Sequence, residues 1–364
     1  MAGTEGVFVS ADNAFSSARP ILAAEIADQP QLLAQLFDRQ RASVEQVARE
    51  IQRRADRPIV LVARGSSDNA AVYGRYLLEV CNHRLTSLAS PSTVTLYGYG
   101  PRLKDSIVVA VSQSGQGEDV VAYLRNARAQ GATTVAIVNN PVSPLAVEAE
   151  WVLECLAGPE ISVPATKTVT AQMMLLALLS AALDTSAEAL RALERIPEVV
   201  EQGLRLRSRA AEVAGILAPL TLASVVGRGF AFPVALEVAL KLKEMASTRA
   251  EPFSAADFLH GPITLVEGGY AALVVDAGGH SSQPAAKIVE EVHRRGGQPF
   301  LLRAGEIGPA PGEIPTLQLH APILEQYAPL VALVLGQLLA VEVGAARGLD
   351  PAHPRGLQKV TSTR

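Results

Sequence analysis

Short apolar, β-branched runs punctuate this chain at regular intervals. Ile59 to Ala63, Ser106 to Val111, Thr133 to Val138 and Trp151 to Leu156 are rich in Val, Ile, Leu and Ala, and helical periodicity fills the stretches between them. Strands apolar on both faces, alternating with helices, predict a parallel sheet covered on both sides. The pattern returns at Thr221 to Val226, Ala271 to Val275 and Pro299 to Leu302. Its punctuation returns too: Arg64-Gly65 recurs as Arg228-Gly229 at an offset of 164, and Arg-Ala-Gln-Gly131 as His-Arg-Arg-Gly296 at 165. Two offsets that agree within one residue predict a duplicated α/β domain, each copy a three-layer α/β/α unit around a parallel sheet. Leu190 to Leu217 reads as a helical link. Residues before about Glu45 read as helices, with Pro20 and Pro30 at helix-starting positions. The expected organisation is an N-terminal helical segment (1–45), a first domain (46–195), a second (210–345) and a tail (346–364).

Composition narrows the function classes. A chain of 364 residues that is 49% apolar has ample material for a core, which excludes a disordered polymer. The net charge is −4 and no long run of like charge occurs, so no nucleic-acid-binding face is expected. Cys81 and Cys155 belong to no CxxC pair, and His83, His280, His293 and His320 lack ligand spacing. No disulfide framework, metal site or cofactor is therefore expected, and a reducing cytoplasm fits. The opening MAGTEGVFVSADNAF has no basic segment followed by an apolar one, so it does not read as a secretory signal. Met173 to Leu183 and Pro329 to Val343 are too short, or are interrupted by Gln337 and Glu342, to span a bilayer. They read as helices buried on several sides, a subunit interface being one place for them.

The candidate chemistry concentrates in Gly227 to Pro262. Glu237, Lys241 and Glu244 stand at i, i+4 and i+7, within about 60° on one helix face. In an arbitrary helix this would be an ion pair on a solvated surface, contributing roughly 0.2–0.5 kcal/mol. Here the helix follows a buried strand and the glycine turn Gly227-Arg228-Gly229, where α/β sheets bind ligands. His260 follows in a loop ahead of Gly261-Pro262, placed to shuttle a proton. In the first half, the strand ending at Val111 runs into Ser112-Gln113-Ser114-Gly115 ahead of a helix over Asp119 to Ala129, and Arg64-Gly65-Ser66-Ser67 repeats the device. Serine N-caps would account for either turn alone; two such turns on adjacent strands suit an anion such as phosphate. Val163 to Thr168 forms a third polar segment, placed to close the pocket. Neither turn matches a dinucleotide or nucleoside triphosphate fingerprint.

These residues resemble the sugar isomerase (SIS) domain family, in particular the double-SIS isomerase half of glucosamine-6-phosphate synthases. The resemblance covers nearly the whole chain. It rests on SQSG at 112–115, ATK at 165–167, GRG with ALEVALKLKE at 227–244, HGP at 260–262 and the tail Pro354-Arg355-Gly356-Leu357-Gln358-Lys359-Val360-Thr361. The resemblance implies two tandem SIS domains and a sugar phosphate held through Ser67, Ser112, Gln113 and Ser114, with Val163 near the sugar. It implies Glu244 as the base moving a proton between C1 and C2, and His260 assisting ring opening from a neighbouring subunit of a homodimer. Lys241 and Lys359 are expected at the sugar.

Departures from the family pattern refine the expectation. The synthase's N-terminal glutaminase cysteine has no counterpart in Met1-Ala2-Gly3, Arg64-Gly65-Ser66-Ser67 replaces Cys-Gly-Thr-Ser, and Gln116-Gly117 follows SQSG in place of Glu-Thr. One phosphate hydroxyl is thus missing, with Ser66 or Arg64 available to compensate. These features resemble stand-alone glucosamine-6-phosphate deaminases of the SIS type, without glutaminase activity. A galactosamine 6-phosphate deaminase, a fructosamine-phosphate deglycase and a non-enzymatic sugar-phosphate sensor remain alternatives. A sensor has no use for Glu244, His260 and Lys359 together.

Overall fold

A computed structural model of the chain describes residues 21–359 apart from positions 221 and 311. Pro20, Thr221 and the tail positions Val360 and Thr361 lie outside the described residues. Among the described residues ten strands form two sheets. The first contains β1 (Ile59–Val62), β2 (Thr86–Leu88), β3 (Ile107–Ser112), β4 (Thr133–Val138) and β5 (Trp151–Glu154); the second contains β6 (Leu222–Gly227), β7 (Arg249–Ser254), β8 (Ala271–Asp276), β9 (Gln298–Gly305) and β10 (Thr316–His320). All pairings are parallel, in the orders β2-β1-β3-β4-β5 and β7-β6-β8-β9-β10. The two orders are the same arrangement, strand for strand. Gly65 and Gly229, after β1 and β6, share a left-handed backbone with φ of 56° and 57°.

Every apolar run forms a strand, and β1, β4 and β8 are buried along their whole length. The three strands that periodicity did not predict, β2, β7 and β10, all lie at sheet edges. An edge strand has one neighbour and tolerates polar residues and even proline, so Thr-Ser-Leu and Arg-Ala-Glu-Pro-Phe-Ser carry no apolar signal.

The largest apolar core lies between the two sheets and draws on the helices Gln29–Gln52, Lys167–Leu183, Ala231–Ala246 and Ala328–Ala346. Smaller clusters cover the sheets' outer faces. Pro30 occupies the first turn of Gln29–Gln52, as expected. The linking segment folds as three helices, Ala187–Glu194, Ile196–Leu204 and Arg207–Leu217.

The apolar segment near 329–343 is a helix buried on several sides, as expected, though longer and less interrupted than the sequence reading allowed. It forms a 19-residue helix, the one helix among the described residues long and apolar enough to cross a membrane. That stretch is 89% buried, packed against Ala231–Ala246 and Arg207–Leu217. Its interrupting polar residues have partners. Gln337 accepts from Gln29 Nε2 at 2.8 Å and donates to the Thr166 carbonyl at 3.2 Å, while Glu342 pairs with Arg207 at 2.9 Å.

Candidate active site

In an open α/β sheet, loops diverge where the strand order reverses, leaving a crevice at the carboxyl ends of the strands. In the first sheet that point lies between β1 and β3, where a cavity of about 410 Å³ opens. The turn after β1 lines it with Arg64, Ser66 and Ser67, and the turn after β3 with Ser112, Gln113 and Ser114. Val163 and Ala165 supply a third wall; Leu357, Gln358 and Lys359 arrive from the tail and Glu244 from the second half.

The two turns end in helices Ser66–Val80 and Glu118–Ala129, whose N-caps are Gly65 and Gly117, so no capping side chain fills either helix start. Both helix N-termini thus offer N–H groups and a positive dipole end to the cavity. The hydroxyls of Ser112 and Ser114 accept from the N–H groups of Gly115 (3.1 Å) and Gln116 (3.3 Å), which leaves each O–H free to donate.

The charged face expected on Ala231–Ala246 is not solvated. Glu237 and Lys241 are buried, with side chains 1% and 0% exposed. Lys241 Nζ donates to Glu244 Oε2 at 2.5 Å, lies 3.3 Å from Glu237 Oε1, and donates to Ser66 Oγ at 3.3 Å. Burial opposes its charge, yet the two carboxylates outweigh that and push its pKa above the ordinary lysine value. Burial raises Glu237 despite Lys241 and the 2.7 Å bond from Asn69 Nδ2. Lys241, expected at the sugar, lies directly behind the cavity wall, bonded to Ser66 and Glu244, which line it. Desolvation is a cost that an ammonium group survives only between counter-charges.

Lys359 donates to Glu160 Oε2 at 2.6 Å and to the Ser162 carbonyl at 2.7 Å, so one of its three N–H groups remains for a ligand. Glu160 also accepts from the N–H groups of Thr166 and Thr168. Burial disfavours its charge, but Lys359 and those donors hold its carboxyl below the usual range. Sequence reasoning missed Glu160 and Asn69, since a lone loop glutamate and an asparagine in the first turn of Ser66–Val80 follow no spacing rule.

His260 is not brought to this cavity. It ends the short helix Ala255–Leu259 and is exposed. In the second sheet the turn after β8 is capped by the chain itself, Glu325 accepting from the backbone N–H groups of His280 (2.9 Å) and Ser281 (3.1 Å), while a cavity of about 620 Å³ opens beside Arg228 and Gln283 and carries no serine turn. A wider cleft beside it, about 670 Å³ and bounded by Glu188, Arg191, Glu306 and Glu325, holds none of the candidate residues.

Comparison with known proteins identifies relatives of the fold and of the sequence. The SIS domain family matches residues 53–182 and 223–343. The chain is 35% identical over 309 residues to the glutamine–fructose-6-phosphate aminotransferase (isomerizing) of Methanothermobacter thermautotrophicus, covering 83% of this chain and 51% of that protein. It thus spans about half the length of the curated relatives it matches. The C-terminal domain of glucosamine-fructose-6-phosphate aminotransferase from Francisella tularensis superposes with a TM-score of 0.81 at 26% identity, covering 90% of this chain and 96% of that one. A glucosamine-6-phosphate deaminase from Thermotoga maritima shares the fold, with a TM-score of 0.74 at 20% identity over 94% of this chain and 99% of that one. The chain belongs to the SIS domain family, with two SIS segments homologous to the isomerase half of the glutamine–fructose-6-phosphate aminotransferases.

Proposed function

We propose that this chain is a glucosamine-6-phosphate deaminase. The observation that carries the reading is a single cavity that joins the two serine turns to Glu244 and Lys359. Phosphate is held at the turns by O–H and N–H donors. His260 of a second copy, in a homodimer, opens the ring to the aldehyde. Glu244 then removes the C2 proton and returns it to C1, taking the amino sugar through an enolamine to a C2 imine. Lys359 stabilises the oxygen charge that develops during the transfer. Water adds to the imine carbon, ammonia leaves, and fructose 6-phosphate remains.

The test is incubation with glucosamine 6-phosphate and, separately, galactosamine 6-phosphate, with ammonia and the ketose phosphate both measured. Ammonia from neither sugar rejects the reading, and ammonia from galactosamine 6-phosphate alone transfers it to the epimer. Glu244→Gln is expected to lower turnover by about 10²–10⁴-fold while sugar-phosphate binding persists.

A further inference from the structure

A phosphomonoester carries about −1.5 to −2 charge at neutral pH, yet the donors that the two turns present are uncharged. The inference drawn from this mismatch rests on the function proposed above. Two cations line the cavity, Arg64 and Lys359, against the carboxylates of Asp119, Glu160 and Glu244. Lys359 is committed to Glu160 and to the Ser162 carbonyl, on the wall formed after β5. Arg64 stands at the turns themselves.

Its setting is that of a held guanidinium. Arg64 Nε donates to Asp119 Oδ2 at 2.5 Å, and the Asp119 side chain is 3% exposed against 52% for Arg64. The other Asp119 oxygen accepts from the Val120 N–H at 2.9 Å, which pins the carboxylate to the first turn of Glu118–Ala129. Anchoring through Nε leaves the two terminal nitrogens of Arg64 without a hydrogen-bond partner among the described residues, on a side chain that lines the cavity. A guanidinium gripped in this way presents parallel N–H groups that match two phosphate oxygens. The adjoining N-cap is bare. Gly117 has an ordinary φ of −58°, and a Cβ built on it would meet nothing nearer than 3.7 Å, so no hydroxyl supplements the turn there and room remains beside the guanidinium.

We infer that Arg64, oriented by Asp119, is the residue that recognises the charge of the substrate's phosphate, and that it sets the preference for a phosphorylated over a neutral sugar. Asp119 acts as its positioning residue.

Wild-type protein, Arg64→Ala, Arg64→Lys and Asp119→Asn are titrated calorimetrically with inorganic phosphate and with glucosamine 6-phosphate, and steady-state kinetics are measured in parallel. Arg64→Ala is expected to weaken both ligands by about 10- to 100-fold and to raise KM far more than it lowers kcat. Arg64→Lys keeps the charge without the fork and should lose severalfold. Asp119→Asn should raise KM less than Arg64→Ala does. If Arg64→Ala does not fold, the lysine and asparagine variants carry the test. Binding within twofold of wild type in every folded variant overturns the assignment, even if the enzyme releases ammonia. A wild-type protein that binds neither ligand overturns the reading of the site as well.

Discussion

Glu160 and Lys241 make opposite uses of burial. Lys241 lies between two carboxylates and stays charged because they surround it; its work is to hold Glu244 facing the cavity. Glu160 stays ionised because Lys359 and two backbone donors outweigh its desolvation, and it thereby fastens the tail to the site. Its folded pKa lies below the ordinary 4.5, so the stability it contributes is complete above about pH 4.5 and is lost as pH falls through the lower folded value. Glu160→Gln is therefore expected to be less stable than wild type by about 1–3 kcal/mol at pH 7, with the gap closing at low pH. Urea midpoints across pH 3–8 test this, and an equal gap throughout would show that charge is not the cause. At this scale Glu244, Lys241 and Lys359 were legible from spacing and resemblance. Glu160 was not, because its role exists only once residues far along the chain bury it.

Helices and strands carry the duplication, and they also limit it. The strand orders match, and the left-handed glycine recurs after the first strand of each sheet. The turn after β8, however, is capped by Glu325, a carboxylate standing where the first sheet's turn after β3 presents serine hydroxyls. Element packing reaches the site through Ala231–Ala246, which lies so close to Ala328–Ala346 that a Cβ on Gly344 would stand 2.2 Å from the Met245 carbonyl oxygen. Met245 adjoins Glu244. Gly344→Ala is expected to cost about 1–3 kcal/mol and to lower activity with it, as the helices must separate. Gly215→Ala is the contrasting change: a Cβ there meets nothing within 4 Å, on an exposed helical position, and should be neutral or stabilising by about 0.5–1 kcal/mol. Urea unfolding of both variants decides whether close approach, and not helical glycine as such, is what matters.

The whole molecule assembles one site from parts that no single domain owns. The first half supplies the serine turns, the second half Glu244, and the tail Lys359. His260 is exposed and outside the cavity, and the proposed homodimer would bring it from a second copy. Mixing Glu244→Gln with His260→Ala, each inactive alone, is then expected to restore about a quarter of wild-type activity once subunits exchange at random, since half of the sites in each mixed dimer regain both groups. No recovery after demonstrated exchange would place His260 outside the partner's reaction site. The amino-acid sequence by itself determined the duplicated parallel α/β plan, because strand and helix periodicities are local and the buried strands are apolar on both faces. It also marked the serine turns and the Glu-Lys-Glu face, which lie within short spans. The tertiary structure alone decided that Asn69 meets Glu237 across 168 residues and Lys359 meets Glu160 across 199. It alone decided that Lys241 is buried, that the turn after β8 is capped, and that the edge strands join their sheets. The reason is that burial and pairing are set by distant partners: the same lysine is a solvated surface charge or a buried support according to what the rest of the chain packs around it.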